Sequence, residues 1–296
     1  MLYYNEALLG DLPEAVHILG DVERPSICII GMGAMGTALF AGLTRGGWAP
    51  SSISMVVRRS DQAEELAEKL GGRSTQDPVE GIEGSDVIVL AVKPRDVRGV
   101  IDRLAGHLGE AQLVLSLAAG VSTRMIEEVL GAVPVVRAMP NTPALVGAGI
   151  TGISGGAHTD EDAVVLAEGV LSAVGEVVRM DESLLDAVTA VSGTGPAYAF
   201  LLAEALTEAA LREGIPHYLA ETLVHHTLRG AGSLLIETDL TPFELRTQVT
   251  SPGGTTAAAM HILEERGFRA LIEDAVRAAA ARSRELGERA SAEDSP

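Results

Sequence analysis

Cysteine is all but missing from this chain: of its 296 residues only Cys28 is one. A lone thiol excludes an intramolecular disulfide, and its place in the apolar run SICII marks a buried side chain rather than a reactive one. Aromatic residues are scarce as well, at 3%. Alanine, valine, leucine and glycine dominate in their stead, which suits helix-covered parallel sheets and closely packed helices and argues against an all-β sandwich. Positive charge is in deficit, with 22 Lys and Arg against 41 Asp and Glu and a net charge of −19. Neutralising a phosphate backbone needs a basic surface, so nucleic acid is excluded as a partner, while a local basic pocket for one small phosphate is not. The longest nearly charge-free runs, 138–159 and 187–203, are broken by Gly, Pro and hydroxyl residues and do not read as membrane spans. With no apolar-cored leader at the start, the expectation is a cytoplasmic protein with no membrane partner.

What is present is an alternation. After a mixed arm at 1–25, the runs SICIIG, SISMVV, SDVIVLAV, QLVLSLA and PVVRAM read as buried strands. Helical patterns lie between them: a segment reaching Arg45, then DQAEELAEKL, RDVRGVIDRLAGHL and TRMIEEVLG. GITGIS and GEVVRM add strands around a helix near 160–173. Such spacing implies a parallel sheet with helices on both faces. Beyond about Asp181 the strand signals stop, and helices are predicted at 182–191, 195–213, 217–236, 242–248, 255–265 and 268–288. The expected organisation is an α/β, Rossmann-type dinucleotide-binding domain over 26–180, a separate all-α domain over 181–290, and a short acidic tail at 291–296.

The segment Gly31-Met32-Gly33-Ala34-Met35-Gly36 matches G-x-G-x-x-G directly after a strand and before a helix, the setting that turns a weak motif into a strong one. Gly31 permits the tight turn, Gly33 lets the backbone approach a pyrophosphate, and Gly36 lets helix pack on strand. The helix N-terminus, with Ala34 and Met35 in its first turn, offers unpaired N–H groups to the phosphates. An NAD-specific version would place a carboxylate after the second strand. Here that strand runs into Arg58, Arg59 and Ser60, two guanidiniums and a hydroxyl suited to a 2′-phosphate. A merely solvated basic turn is the competing reading. The preferred cofactor is NADPH, with NADH possible. Ligands of open α/β sheets bind at the carboxyl ends of strands, so Ala91 and Lys93 in AVKP, and Ala118 in SLAAGV, are expected to line the cleft, although Lys93 also reads as a plain exposed loop lysine.

Reduction of a ketone calls for a proton donor to the forming alkoxide, often His or Lys. None of the seven histidines sits in a recognisable catalytic constellation, and no carboxylate pair or Cys/His cluster has metal-ligand spacing, so no metal site is expected. An imine asks for less: once protonated it is already electrophilic, and hydride transfer neutralises charge. The charge-free stretch TSPGGTTAAAM at 250–260 can serve such a substrate. Backbone N–H groups at Gly253 to Thr256 would hold a carboxylate at a helix N-terminus, while a threonine hydroxyl reaches the nitrogen. An ordinary helix cap with a proline turn is the alternative for this segment.

Taken together, GMGAMG, AVKP, SLAAGV, VVRAMPNTPALVGAG, AVTAVSGTGPAYAFLLAEAL and ELRTQVTSPGGTTAAAMHILEERGF resemble the pyrroline-5-carboxylate reductase family over roughly residues 26–288. That resemblance implies reduction of 1-pyrroline-5-carboxylate to L-proline with NADPH or NADH, the last step of proline biosynthesis. It implies a C-terminal helical domain for dimerisation and substrate binding, homodimers or larger rings of dimers, and a substrate loop that completes the cleft under the partner's nicotinamide. Carried onto this chain, Ser251, Gly253, Gly254, Thr255 and Thr256 would bind the carboxylate, the Thr256 hydroxyl would meet the imine nitrogen as the catalytic group, and Val121 and Asn141 would lie near nicotinamide and substrate. SGTGP at 192–196 reads as a helix-start turn rather than chemistry. Where the family often has Asn-Arg-Ser or Asn-Arg-Thr, this chain has Arg58 in the asparagine position. The other functions weighed are reduction of a different cyclic imino acid and a non-catalytic dinucleotide-binding sensor. A β-hydroxyacid dehydrogenase is disfavoured, because the helical half contains no lysine.

Overall fold

The computed structural model describes the backbone of residues 24–292. The expected arm at 1–25, apart from Arg24 and Pro25, and most of the expected tail lie outside the described residues. The chain forms two compact units, one running to Gly193 and resuming at Ala279, the other being Thr194–Ala278.

The first unit is built on one sheet of eight strands. They are β1 (Ile27–Ile30), β2 (Ile53–Val56), β3 (Arg73–Thr75), β4 (Val87–Leu90), β5 (Leu113–Ser116), β6 (Val135–Met139), β7 (Gly149–Gly155) and β8 (Gly175–Arg179). Their order across the sheet is β3-β2-β1-β4-β5-β6-β7-β8. Every residue of β1, β2, β4 and β5 is buried, as expected of strands covered on both faces. Alternate side chains feed two apolar layers. Ile27, Ile29 and Met55 pack with Leu39 and Leu43 of helix α1 (Ala34–Arg45) on one side. Cys28, Ile30, Ile88 and Leu90 pack on the other with Val97 and Ile101 of α4 (Pro94–Leu104) and Ile126 of α5 (Thr123–Leu130). The helices α2 (Ser60–Leu70) and α3 (Pro78–Ile82) precede these last two in the chain. Burial pushes the Cys28 thiol up to about 11, so it is un-ionised and inert.

Two features depart from the expected parallel sheet. Strand β3 carries no apolar run, only Arg-Ser-Thr at the sheet edge. Strand β7 runs antiparallel to β6, with Ala138 opposite Ile153; the short link between them is too brief for a parallel crossover. Parallel pairing resumes at β8, reached through α6 (Glu161–Leu171).

A buried cation fastens the far end of this unit. Arg137 of β6 has Nη1 3.2 Å from Glu182 Oε1 and Nη2 3.9 Å from Asp186 Oδ1. Glu182 also accepts from the backbone N–H and the hydroxyl of Thr123, at 2.9 and 2.7 Å. Asp186, in α7 (Leu185–Val188), accepts from Ser283 Oγ at 2.7 Å. A π-helical turn, Thr189–Gly193, follows where an ordinary helix was expected to end near 191.

The second unit consists of helices: α8 (Gly195–Arg212), α9 (His217–Glu237), α10 (Pro242–Gln248), α11 (Thr255–Glu265) and the first part of α12 (Phe268–Ala292). Among its described residues only Ala220 and Val224 are buried, while Phe200, Tyr218, Ile236, Phe243 and Leu271 stand exposed, Ile236 at 86%. Among the described residues no helix is long and apolar enough to cross a membrane.

Removing one partner of a buried cation leaves its charge uncompensated. Glu182→Ala should therefore lower unfolding stability by about 2–3 kcal/mol, below the figure for fully buried pairs because Glu182 keeps some water contact. Urea denaturation at fixed protein concentration reads this, and an unchanged midpoint would mean that Arg137 is satisfied by Asp186 alone.

Candidate active site

The dinucleotide end is shaped by what glycine omits. Gly31 leaves β1 with φ +102, and a β-carbon there would sit 2.8 Å from the Ala91 carbonyl oxygen. A β-carbon on Gly36 would collide with the carbonyl oxygen of Gly31. Gly33 is different: its φ is −81, open to any residue, and a β-carbon there would meet nothing within 4 Å. Two of the three glycines are thus demanded by the fold, while the third keeps open a space over the first turn of α1. That helix has Gly33 as N-cap and no side-chain cap, so the N–H groups around Ala34 and Met35 remain available to an anion. The cradle fits a pyrophosphate.

The neighbouring strand ends hold the other expected residues. Arg59 is the N-cap of α2 and Ser60 its first residue. The Arg58 side chain is 86% exposed, with Asp96 Oδ2 3.9 Å from Nη1. Arg59 is engaged: Nε donates to Asp61 Oδ1 at 2.9 Å and Nη2 donates to Oδ2. That hydrogen bond holds the Asp61 carboxyl down to about 2. Lys93 is exposed at the N-cap of α4, and Ala91 is half-buried beside Gly31. Ala118 and Val121 belong to the buried core under α4 and α5, so their side chains are packed inward, and Gly120 between them, at φ +76, lies against Gly287 of α12. Asn141 is buried and already spoken for on both sides of its amide. Its oxygen accepts from Ile150 N at 3.0 Å, and Nδ2 donates to the Ser192 carbonyl at 3.2 Å. One amide hydrogen remains for another acceptor.

In the helical unit, the TSPGG segment makes a tight turn. Gly253 has φ +69, Gly254 N donates to the Ser251 carbonyl at 3.0 Å, and a β-carbon on Gly254 would strike Ser251 Oγ. Helix α11 then starts at Thr255 with Gly254 as N-cap and no side-chain cap. An ordinary capped start, in which a hydroxyl satisfies the first N–H groups, is therefore not what this turn does. Ser251, Gly253 and Thr255 are exposed and Thr256 is half-buried. The turn can receive a small anion on backbone N–H groups with a hydroxyl alongside.

Three features were not foreseen. The Asp61 carboxylate beside Arg59 is a near neighbour in sequence, whereas Asp96, which lies near Arg58, comes from a distant segment with no local signal. The Arg137–Glu182–Asp186 cluster joins residues 45 and more positions apart and has no local signature. The π turn brings Gly193 against Met139, whose Cε would lie 2.9 Å from an added β-carbon.

The chain is similar to known proteins along most of its length. A family model described as pyrroline-5-carboxylate reductase dimerisation matches residues 182–286, and one described as NADP oxidoreductase coenzyme F420-dependent matches residues 26–120. The pyrroline-5-carboxylate reductase of Corynebacterium melassecola is 41% identical over 266 residues, spanning 88% of this chain and 98% of that protein. A pyrroline-5-carboxylate reductase structure from Coxiella burnetii matches at 42% identity with a TM-score of 0.85, covering 89% of this chain and 99% of that one. The Plasmodium falciparum pyrroline carboxylate reductase with NADP bound matches at 27% identity and a TM-score of 0.80, over 90% of this chain and 99% of that one. Likeness of this degree along nearly the full length of both partners has one meaning: the chain belongs to the pyrroline-5-carboxylate reductase family of NAD(P)-dependent oxidoreductases.

Proposed function

We propose that this chain reduces 1-pyrroline-5-carboxylate to L-proline in the cytoplasm, as the last step of proline biosynthesis, with NADPH preferred over NADH. A bound reduced nicotinamide supplies the hydride that enters the C=N carbon, and the ring nitrogen ends with the proton. The chain's own residues bind and orient. Gly31, Gly33 and Gly36 shape the cradle, the first turn of α1 meets the pyrophosphate, and Arg58, Arg59 and Ser60 meet the 2′-phosphate. Ala91, Lys93 and the backbone at Ala118 and Val121 flank the dinucleotide, with Asn141 offering its remaining amide hydrogen.

One observation carries the choice of substrate: the uncapped, charge-free start of α11. An imino acid carries one carboxylate and one nitrogen, and this turn offers N–H groups of Gly253, Thr255 and Thr256 for the first, with Ser251 beside them and the Gly254 N–H held within the turn by the Ser251 carbonyl. The Thr256 hydroxyl orients the second. No strong acid is needed there, because a protonated imine is electrophilic before the hydride arrives. The exposed apolar side chains of the helical unit supply the reason for assembly: burying Phe200, Tyr218, Ile236, Phe243 and Leu271 against a second copy gives that unit the core it lacks alone. Homodimers, or rings of dimers, follow from this reading.

The direct test is Thr256→Ala. It should lower kcat/KM for the imine about 10- to 100-fold, as loss of one orienting hydrogen bond does, with NADPH affinity unchanged; an unaltered rate removes Thr256 from the reaction. Gly33→Ala should leave the unfolding free energy within about 0.5 kcal/mol of the parent, since a β-carbon there meets nothing within 4 Å. The same change should weaken NADPH binding about tenfold or more by filling the approach to the pyrophosphate; undiminished binding, measured by calorimetry, would contradict the cradle. Light scattering should give a dimer or larger species, and a stable, active monomer would overturn the role given to the apolar helix faces.

A further inference from the structure

The two arginines beyond β2 are held in different ways. Arg58 is loosely placed, sharing the distant Asp96 with Arg95, each guanidinium 3.9 Å from a carboxylate oxygen. Arg59 is locked. Its Nε and Nη2 both donate to the Asp61 carboxylate, one oxygen each, and Asp61 Oδ1 also accepts from the backbone N–H of Gln62 at 2.9 Å. Asp61 lies in the first turn of α2, where a negative charge is favoured by the helix dipole. The paired Nε–Nη2 edge of a guanidinium is one that can grip two phosphate oxygens at once. In this structure a carboxylate of the chain already grips it.

We propose that Asp61 is an internal competitor for the 2′-phosphate of NADP(H), a specificity-determining residue that narrows the preference for NADPH over NADH. The inference rests on Arg58 and Arg59 being the phosphate-reading pair. To use Arg59 by its Nε–Nη2 edge, an incoming phosphate must displace Asp61, and it does so beside a carboxylate that repels it. A dinucleotide with a plain 2′-hydroxyl has no such contest. The competitor does not switch off near neutrality, because its hydrogen bonds with Arg59 keep it ionised down to about 2. Nor is it insuperable: the pair is exposed, with side chains 73% and 64% accessible, and exposed ion pairs are weak. The outcome is a chain that meets NADPH with one weakly paired arginine and one held back by its own carboxylate.

The experiment measures dissociation constants for NADP+ and NAD+ by isothermal titration calorimetry, on the full chain in its native oligomeric state, for the parent, Asp61→Asn, Asp61→Ser and the double variant Arg58→Ala with Arg59→Ala. Both Asp61 variants should bind NADP+ about three- to tenfold more tightly, the scale of an exposed pair released plus a like charge removed, while NAD+ stays within about twofold. Serine retains a side chain suited to a helix start, so the two variants separate the lost charge from any damage to α2. If NADP+ affinity is unchanged, or if both dinucleotides shift together, Asp61 is no competitor. The double variant tells the two ideas apart. Loss of NADP+ with NAD+ retained, alongside inert Asp61 variants, sinks the competitor alone; equal loss of both dinucleotides sinks the phosphate-reading assignment and the competitor with it.

Discussion

A carbonyl and an α-carbon in close contact hold the dinucleotide end of this protein together. The carbonyl of Gly31 lies where a β-carbon on Gly36 would have to be, so α1 packs against β1 more closely than any other residue pair would allow. That approach brings the first turn of α1 over the carboxyl end of β1. Because β1 pairs in parallel with β2 on one side and β4 on the other, the segments leaving all three strands emerge along one rim. Arg58 to Ser60, Ala91 to Lys93 and the Gly33 turn are neighbours for that reason. The strand order reverses between β1 and β4, the switch point at which open α/β sheets hold ligands.

The helical unit obeys the opposite economy. Its largest apolar side chains face outward and its buried ones are an alanine and a valine, so it cannot derive its stability from its own interior. Burial against another copy resolves this, and ties the stability of the unit to protein concentration. Uncharged exposed surface then has two distinct origins in this chain. Along α8 and α9 it is large and apolar, made to be covered. At Ser251 to Thr256 it is small, glycine-rich and hydroxylated, made to leave backbone N–H groups bare.

Much of this was legible in sequence because the signals were local. Apolar runs of four to six residues identified β1, β2, β4, β5 and β6, and the glycine spacing identified the turn after β1. The helical patterns RDVRGVIDRLAGHL and TRMIEEVLG identified α4 and α5 in the same way. What escaped was either non-local or too short. β3 is three residues of Arg-Ser-Thr paired with β2 by backbone alone, so no side-chain pattern announces it. The reversal at β7 follows from the short link after Met139, and an apolar strand run carries no mark of its own direction. The π turn before α8 and the Arg137 cluster depend on contacts between segments far apart in the chain. At the arginines the sequence displayed charge but not its employment: the pairing of Arg59 with Asp61 across a helix start is a matter of backbone direction, visible only once α2 is placed.

On the proposed reading, the substrate is a five-membered cyclic imine that bears a carboxylate. That assignment is tested most directly by following loss of the reduced nicotinamide absorbance with 1-pyrroline-5-carboxylate and its six-membered homologue side by side, at equal NADPH. Fast turnover of the five-membered ring is expected, with proline formed in step with NADPH consumed. Binding of NADPH without turnover of either ring would contradict it and leave the chain a dinucleotide-binding sensor.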